Sequence, residues 1–367
     1  ECVQTVAFSP NGSMVASGSL DATIKLWNVE EGTLIRTLEG HASLVTSVAF
    51  GPDGKLMASG SGDETVKLWN VEDGSLIRTW QHSKGVYSVA FSFDGKLVAS
   101  GHHDNTVNLW KTADDSSVRT LEGYSVAFSA DGKLIGSGCK GQSINLWNAK
   151  DYSLIRTLNG RCGKVNSVVF NAEGTMVASA CDGGTELWSV QDGTLIRTWS
   201  QDAAISITFS PDSKLVVSGH SDSTVKLWNT DDGSLARLLE GHVYGVKSVA
   251  LSADGKFIAS ASWDQTVKLW NVQDVSLVRT LEGHTDDVYA VALLDRLSLG
   301  DVIEERVSAS LTAWSVGINE IRHRHDPHCA ALRIHHRRSG DVLAGQESCC
   351  GFDAGVRRDG EHLARHH

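Results

Sequence analysis

Residues 45–70 read VTSVAF, then GPDGK, then LMASGSGDETVKLWN. Two apolar runs flank Asp53-Gly54, a pair suited to the positive φ of a tight hairpin. A second polar turn, Gly62-Asp63-Glu64, leads into a third run that closes on Leu68-Trp69. After Asp73-Gly74 a fourth run reaches Trp80. The stretch therefore reads as short antiparallel strands joined by tight turns. Val48, Phe50, Leu68 and Trp69 place apolar groups on both strand faces, as a sheet packed between two neighbours requires.

The unit recurs along the chain. A Leu-Trp pair closes the third strand at Trp27, Trp69, Trp110, Trp147, Trp188, Trp228 and Trp270, at spacings of 42, 41, 37, 41, 40 and 42 residues. The first hairpin turns at Asn11-Gly12, Asp53-Gly54, Asp94-Gly95, Asp131-Gly132, Glu173-Gly174 and Asp254-Gly255, with Asp212-Ser213 as the departure. Each copy also has a framework of Gly40-His41, Asp63 six residues before Trp69, and a closing Trp-Asn pair, kept to varying degrees. On this period and these motifs, residues 1–283 resemble WD40-repeat proteins. The resemblance implies an all-β fold, a seven-bladed WD40 β-propeller. Residues 284–319 read as a degenerate partial eighth repeat, and residues 320–367 as a disordered His/Arg-rich tail. Seven full copies lie within residues 1–283, so the ring is expected to close blade to blade, with residues 288–294 as a complicating extra strand.

A net charge of −11 argues against general binding to nucleic acid or anionic membranes. No apolar run is long enough to span a bilayer. The seven scattered cysteines point to free thiols in a reducing, cytoplasmic setting. Glu1 enters in mid-repeat, which reads as a piece of a longer protein. The abrupt change to an Arg/His-rich mixture after Glu320 fits a genuine tail or a shifted reading frame. Its His323, His325, His328, His335, His336, Cys329, Cys349 and Cys350 match no zinc spacing, so no metal or cofactor is expected.

His41, Ser59, Asp63 and Trp69 contain the residue types of a hydrolase triad. The set recurs as His82, Ser100, Asp104 and Trp110, and as His242, Ser260, Asp264 and Trp270. An enzyme has no use for a triad repeated around a ring. The family resemblance makes each set a structural network, running Asp to His to Ser to indole N–H, and buried polar groups need such partners. No catalytic constellation is expected. Blades 4, 5 and 6 lack the complete set and should form the weakest sector.

Comparison among the copies separates a fixed framework from positions that vary. One variable set follows the leading Val of the first strand: Thr46, Tyr87, Asn166 and Lys247. Another precedes the framework Asp: Leu20, Gly62, His103, Lys140, Cys181, Ser221 and Trp263. A third lies in the preceding loop and includes Tyr244. In a propeller these positions converge on one face. Thr46, Tyr87, His103, Lys140, Asn166, Cys181, Tyr244, Lys247 and Trp263 are therefore the candidate protein-binding residues, since a variable aromatic patch on a rigid frame suits recognition.

The near-identical copies, with phrases such as TVKLWN followed by LIRT, also resemble the repeat arrays of fungal NACHT-type incompatibility receptors. That resemblance implies a ligand-sensing module of a larger cytoplasmic protein, taking a protein or peptide partner. The alternatives are a scaffold or adaptor subunit of a complex, and an incomplete gene product. The sequence leaves the oligomeric state open.

Overall fold

The computed structural model describes residues 2–199, 202–284 and 286–293. The C-terminal region read from sequence as tail, and most of the degenerate repeat, lie outside the described residues.

Each sequence copy becomes one four-stranded antiparallel sheet whose strands pair in chain order. The seven sheets, blades 1 to 7, span residues 3–38, 45–81, 86–122, 125–159, 165–199, 204–239 and 246–281. The first-hairpin glycines adopt the expected positive φ, and Ser213 takes the same conformation at 59° in the copy that lacks glycine.

Two irregularities recur. In every blade the third and fourth strands slip register at the Leu-Trp pair, as where Leu68 faces Arg78 but Trp69 faces Leu76. In most blades the first strand also bulges, so that Val45 faces Ser61 while Ser47 faces Gly60. Thr46 is thereby left out of the ladder, as are Tyr87, Asn166 and Lys247 at the same place. A bulge re-aims the residue that it ejects, so the variable positions are set by the backbone itself.

The core lies between blades. Ile24, Leu26 and Leu38 of blade 1 bury against Val45, Val48, Met57 and Trp69 of blade 2, and equivalent clusters join each later pair through blades 6 and 7. Successive first strands stand side by side, and side-chain hydroxyls link several of them: Val48 N–H donates to Thr5 at 3.2 Å, and Val249 N–H to Ser206 at 3.2 Å.

The closing seam differs from direct blade-to-blade packing. Val288 and Val291 bury in the core of blade 7. Val291 N–H donates to Ser248 Oγ at 3.2 Å, and Val288 N–H donates to the Ser262 carbonyl at 3.0 Å. Residues 286–293 thus take the position on blade 7 that the next blade's first strand takes elsewhere. The reason is that Val288 and Val291 repeat the spacing of Val45 and Val48. Cys2 Sγ lies 3.4 Å from the Asp287 carbonyl oxygen, which puts this segment beside the start of blade 1.

Candidate protein-binding face

Behind the candidate face stands the framework that holds it. In blade 2, His41 Nδ1 lies 2.8 Å from Asp63, His41 Nε2 2.7 Å from Ser59 Oγ, and Trp69 Nε1 donates to Ser59 Oγ at 2.8 Å. Because the indole N–H donates to Ser59, the Ser59 hydroxyl proton is directed to Nε2, and Nδ1–H donates to Asp63. Burial keeps His41 neutral by lowering its pKa below the usual value, against the pull of Asp63. Burial alone would raise the Asp63 carboxyl; bonds from Thr65, the Ala42 N–H and His41 outweigh it and hold the pKa at about 2. His242, Ser260, Asp264 and Trp270 repeat the arrangement in blade 7 at 2.7, 2.7 and 2.8 Å. The Asp-His-Ser order is that of a hydrolase, yet Ser59 is 0% exposed and its oxygen is occupied by the indole. No substrate atom can reach it. Ser59→Ala should lower the unfolding free energy by about 1–3 kcal/mol, since it leaves His41 Nε2 and the Trp69 indole N–H unpaired in the core. Urea denaturation checks this, and an unchanged midpoint would contradict it.

Blade 3 requires a correction. His102, rather than His82, pairs with Ser100 at 2.8 Å, and Trp110 donates to the same hydroxyl at 2.7 Å. His82 stacks on the His102 ring at 3.7 Å, and its Nε2 is 4.0 Å from Asp104. The loop ahead of blade 3 is one residue shorter and lacks the counterpart of Gly40, whose φ of 147° turns the chain in blade 2. The imidazole two residues beyond the serine takes the pocket instead. Blade 6 uses the same device, with His220 2.8 Å from Ser218 and Trp228 donating to Ser218 at 3.1 Å. The shared Ser-Gly-His at Ser100–His102 and Ser218–His220 was the available signal. Blade 6 therefore has a buried histidine on its serine, where the sequence reading gives it none. In blade 4, Ser137 donates to the Glu122 carbonyl at 2.6 Å in place of a histidine contact.

Blade 5 requires two corrections. Cys162 and Cys181 form a disulfide, contrary to the expectation of free thiols. Cys181 is also fully buried and is not a surface recognition residue. The second turn of blade 5 is one residue short, which shifts the alignment, so Asp182 occupies the variable position instead. The bridge ties the incoming loop to the second strand, where blade 2 uses Asp63. Beside it, buried Glu186 accepts the Arg161 N–H at 2.9 Å.

The other variable residues gather where the first strands begin, here termed the upper face. Two serve the framework. Thr46 Oγ1 donates to the Gly60 and Val86 carbonyls at 3.0 and 2.9 Å. Asn166 Nδ2 donates to Asp182 at 2.9 Å and to the Ala204 carbonyl at 3.0 Å. Both thereby bracket a blade to the next one. Tyr87 meets His103 edge-on at 5.9 Å and lies over Tyr124 at 4.1 Å. The short loop before blade 4 leaves Tyr124 buried directly ahead of Ser125, so blades 3 and 5 approach over it. Tyr87 Oη lies 3.5 Å from the Asn166 carbonyl oxygen, and Lys164 Nζ sits 4.6 Å from the Tyr124 ring centre. Lys140 caps the His103 carbonyl. In blade 7, Lys247 Nζ lies 3.6 Å from the Trp263 ring centre, with Trp263 38% and Tyr244 60% exposed. Sequence reasoning passed over Lys164 and Tyr124, although Lys164 directly precedes the leading Val165 and Tyr124 directly precedes Ser125, as the variable Tyr87 precedes Ser88.

At the opposite end, Phe93 is 66% exposed in a groove shared with Phe128 and Tyr152 between blades 3 and 4. Among the described residues no helix is long and apolar enough to cross a membrane.

Seven four-stranded blades, with the Trp-Ser-His-Asp framework complete in blades 2 and 7 and varied in the others, define a β-propeller of WD40 repeats. The sequence family described as "WD domain, G-beta repeat" matches residues 115–148, 152–189, 193–229 and 233–271, and "IFT122 first beta-propeller" matches residues 2–123. Among curated relatives, nuclear distribution protein nudF of Aspergillus flavus is 56% identical over 43 residues, 12% of this chain and 10% of that protein. Nuclear distribution protein nudF 2 of Penicillium rubens is 47% identical over 45 residues, again 12% and 10%. The probable serine/threonine-protein kinase PkwA of Thermomonospora curvata is 52% identical over 40 residues, 11% and 5%. The chain thus spans about one repeat, a tenth or less of the length of these relatives.

Proposed function

We propose that the chain is a non-enzymatic protein-interaction platform that recognises a protein or peptide on its upper face. The observation that carries this reading is the gathering of Tyr87, Tyr244 and Trp263 at one end of a framework whose histidines and serines bond one another inside the blades. Aromatic groups of this kind, partly exposed on a rigid support, are the residue types that dominate interface energies. The resemblance to fungal NACHT-type receptors makes the propeller the ligand-sensing part of a larger cytoplasmic protein. The match to nuclear distribution proteins supports a scaffold or adaptor role instead. The Cys162–Cys181 bridge weighs against a strongly reducing setting.

The test is affinity capture from native extract with the full chain and with a Tyr87→Ala/Tyr244→Ala/Trp263→Ala variant of matched melting temperature. A partner held by the first and lost by the second is the expected result. A partner held equally by both would move recognition away from this face. The Phe93 groove favours the second reading, docking at the lower end, and Phe93→Ser would then release the partner.

A further inference from the structure

The upper face holds ammonium groups that make no direct ion pair. Lys140, Lys164 and Lys247 have no acidic oxygen within 4.0 Å among the described residues, whereas Lys96, Lys133, Lys226 and Lys256 do. Their partners are rings and a carbonyl. Lys164 Nζ lies 4.6 Å from the Tyr124 ring centre and 5.8 Å from that of Tyr87. Lys140 Nζ lies 5.7 Å from the Tyr124 ring centre, and Lys247 Nζ lies 3.6 Å from that of Trp263. An aromatic face orients an ammonium group without cancelling its charge. Nearby Asp182 is held by Asn166 at 2.9 Å instead. Lys164 is depressed first by desolvation, with Asp182 opposing and Lys140 adding to the shift. Lys247 is likewise depressed first by desolvation, with Asp287 opposing and Lys164 adding. The cations therefore repel one another in a partly desolvated place.

Such an arrangement gathers three cations at one end of a chain of net charge −11, with Asp182 and Asp287 acting on two of them. Like charges lining one mouth attract an anion strongly and raise its encounter rate. The three lysines come from blades 4, 5 and 7 and are separated by aromatic surface, a layout that suits several carboxylates on an extended chain better than one compact anion. The acidic remainder of the molecule repels a long polyanion such as nucleic acid.

We propose that the upper face takes an acidic peptide segment, with its carboxylates on Lys140, Lys164 and Lys247 and an apolar side chain on the exposed edge of Trp263. This rests on the upper face being the recognition surface and adds the charge of the ligand.

The test is fluorescence anisotropy of the full chain with labelled hexaglutamate, and with hexaglutamine as the uncharged probe. Hexaglutamate should bind about tenfold tighter or more at low salt, with the difference collapsing near ~0.5 M salt. Lys140→Gln/Lys164→Gln/Lys247→Gln should abolish the preference. The corresponding Lys→Arg variant, which keeps charge and ring contact, should retain it. Lys55→Gln/Lys96→Gln/Lys133→Gln, at the opposite end, should also retain it. Equal binding of the two peptides, or an undiminished preference in the upper-face Gln variant, would overturn the proposal. If the peptides are not distinguished while the aromatic variant still loses its captured partner, the charge assignment falls and the recognition surface stands. If the partner is kept by the aromatic variant, the recognition surface itself falls.

Discussion

Trp69→Ala is expected to remove about 3–5 kcal/mol of stability, a large part of what an ordinary domain possesses. Trp69 is 2% exposed and fills the core between blades 1 and 2 beside Ile24, Leu26, Leu38 and Val45. Its loss opens a cavity at an interface rather than within one sheet. It also strips the Ser59 oxygen of its donor and loosens His41 and Asp63 behind it. In a repeat array each blade is held by its neighbours, so one damaged interface weakens both blades that share it. Trp188→Ala is the informative companion. Trp188 is equally buried, but its Nε1 has no hydrogen-bond partner. That substitution forfeits packing alone and should cost about 1 kcal/mol less. Urea denaturation of both variants decides the matter. Equal losses would show that the Ser59 bond adds nothing to the packing.

The second large effect is a loss of stability in mild acid. His102 and His220 are 0% exposed and bonded to Ser100 and Ser218. Burial, aided by His82 near the first and Lys226 near the second, lowers each pKa from 6.5 to about 4. Between these values the unfolded chain binds a proton at each site and the folded chain does not, so stability rises with pH. The contribution is complete above about pH 6.5, declines through the interval, and is exhausted near pH 4. Each site accounts for about 3 kcal/mol over that span. The carboxylate network acts lower, since Asp63 is held at about 2 and is half-protonated in the unfolded chain at its usual 3.8. Urea midpoints measured from pH 7 to pH 4 should fall steeply in the parent chain. They should flatten in His102→Ser/His220→Ser, which copies the Ser61 and Ser262 of blades 2 and 7. A slope unchanged by that double substitution would assign the acid lability elsewhere.

The blades were legible in the sequence because each copy carries its own turn and its own Leu-Trp closure, and these are local signals. What escaped was set by one-residue changes in length. A loop shortened before blade 3 exchanged His82 for His102, and a turn shortened in blade 5 moved Cys181 inward and Asp182 outward. Neither alters residue type, and only the backbone path reveals which side chain faces the pocket. The bulge that ejects Tyr87 and Lys247 is a register effect, invisible to composition. The pairing of Cys162 with Cys181 joins the loop before one strand to the end of the next, a proximity that spacing alone does not specify. The variable face was found by comparing copies. That comparison did not separate Thr46 and Asn166, which tie blades together, from the aromatic residues that remain accessible.

The burial of Val45 and Val48 in the core of blade 1 has a further consequence. The stretch that is repeated in the gene and the sheet that is built in space are joined by one recurring fitting, the leading Val of a copy seated on its predecessor, with blades 4 and 6 as the departures. Val288 and Val291 show that a new copy can seat itself on the last blade with the same fitting. Exchange of whole repeats that carry the leading Val would therefore preserve the joints while reordering the residues displayed above them. Tyr87, Lys164 and Trp263 are then interchangeable inserts in a standard mount, and a lineage could alter what it recognises by recombination without having to evolve a new core.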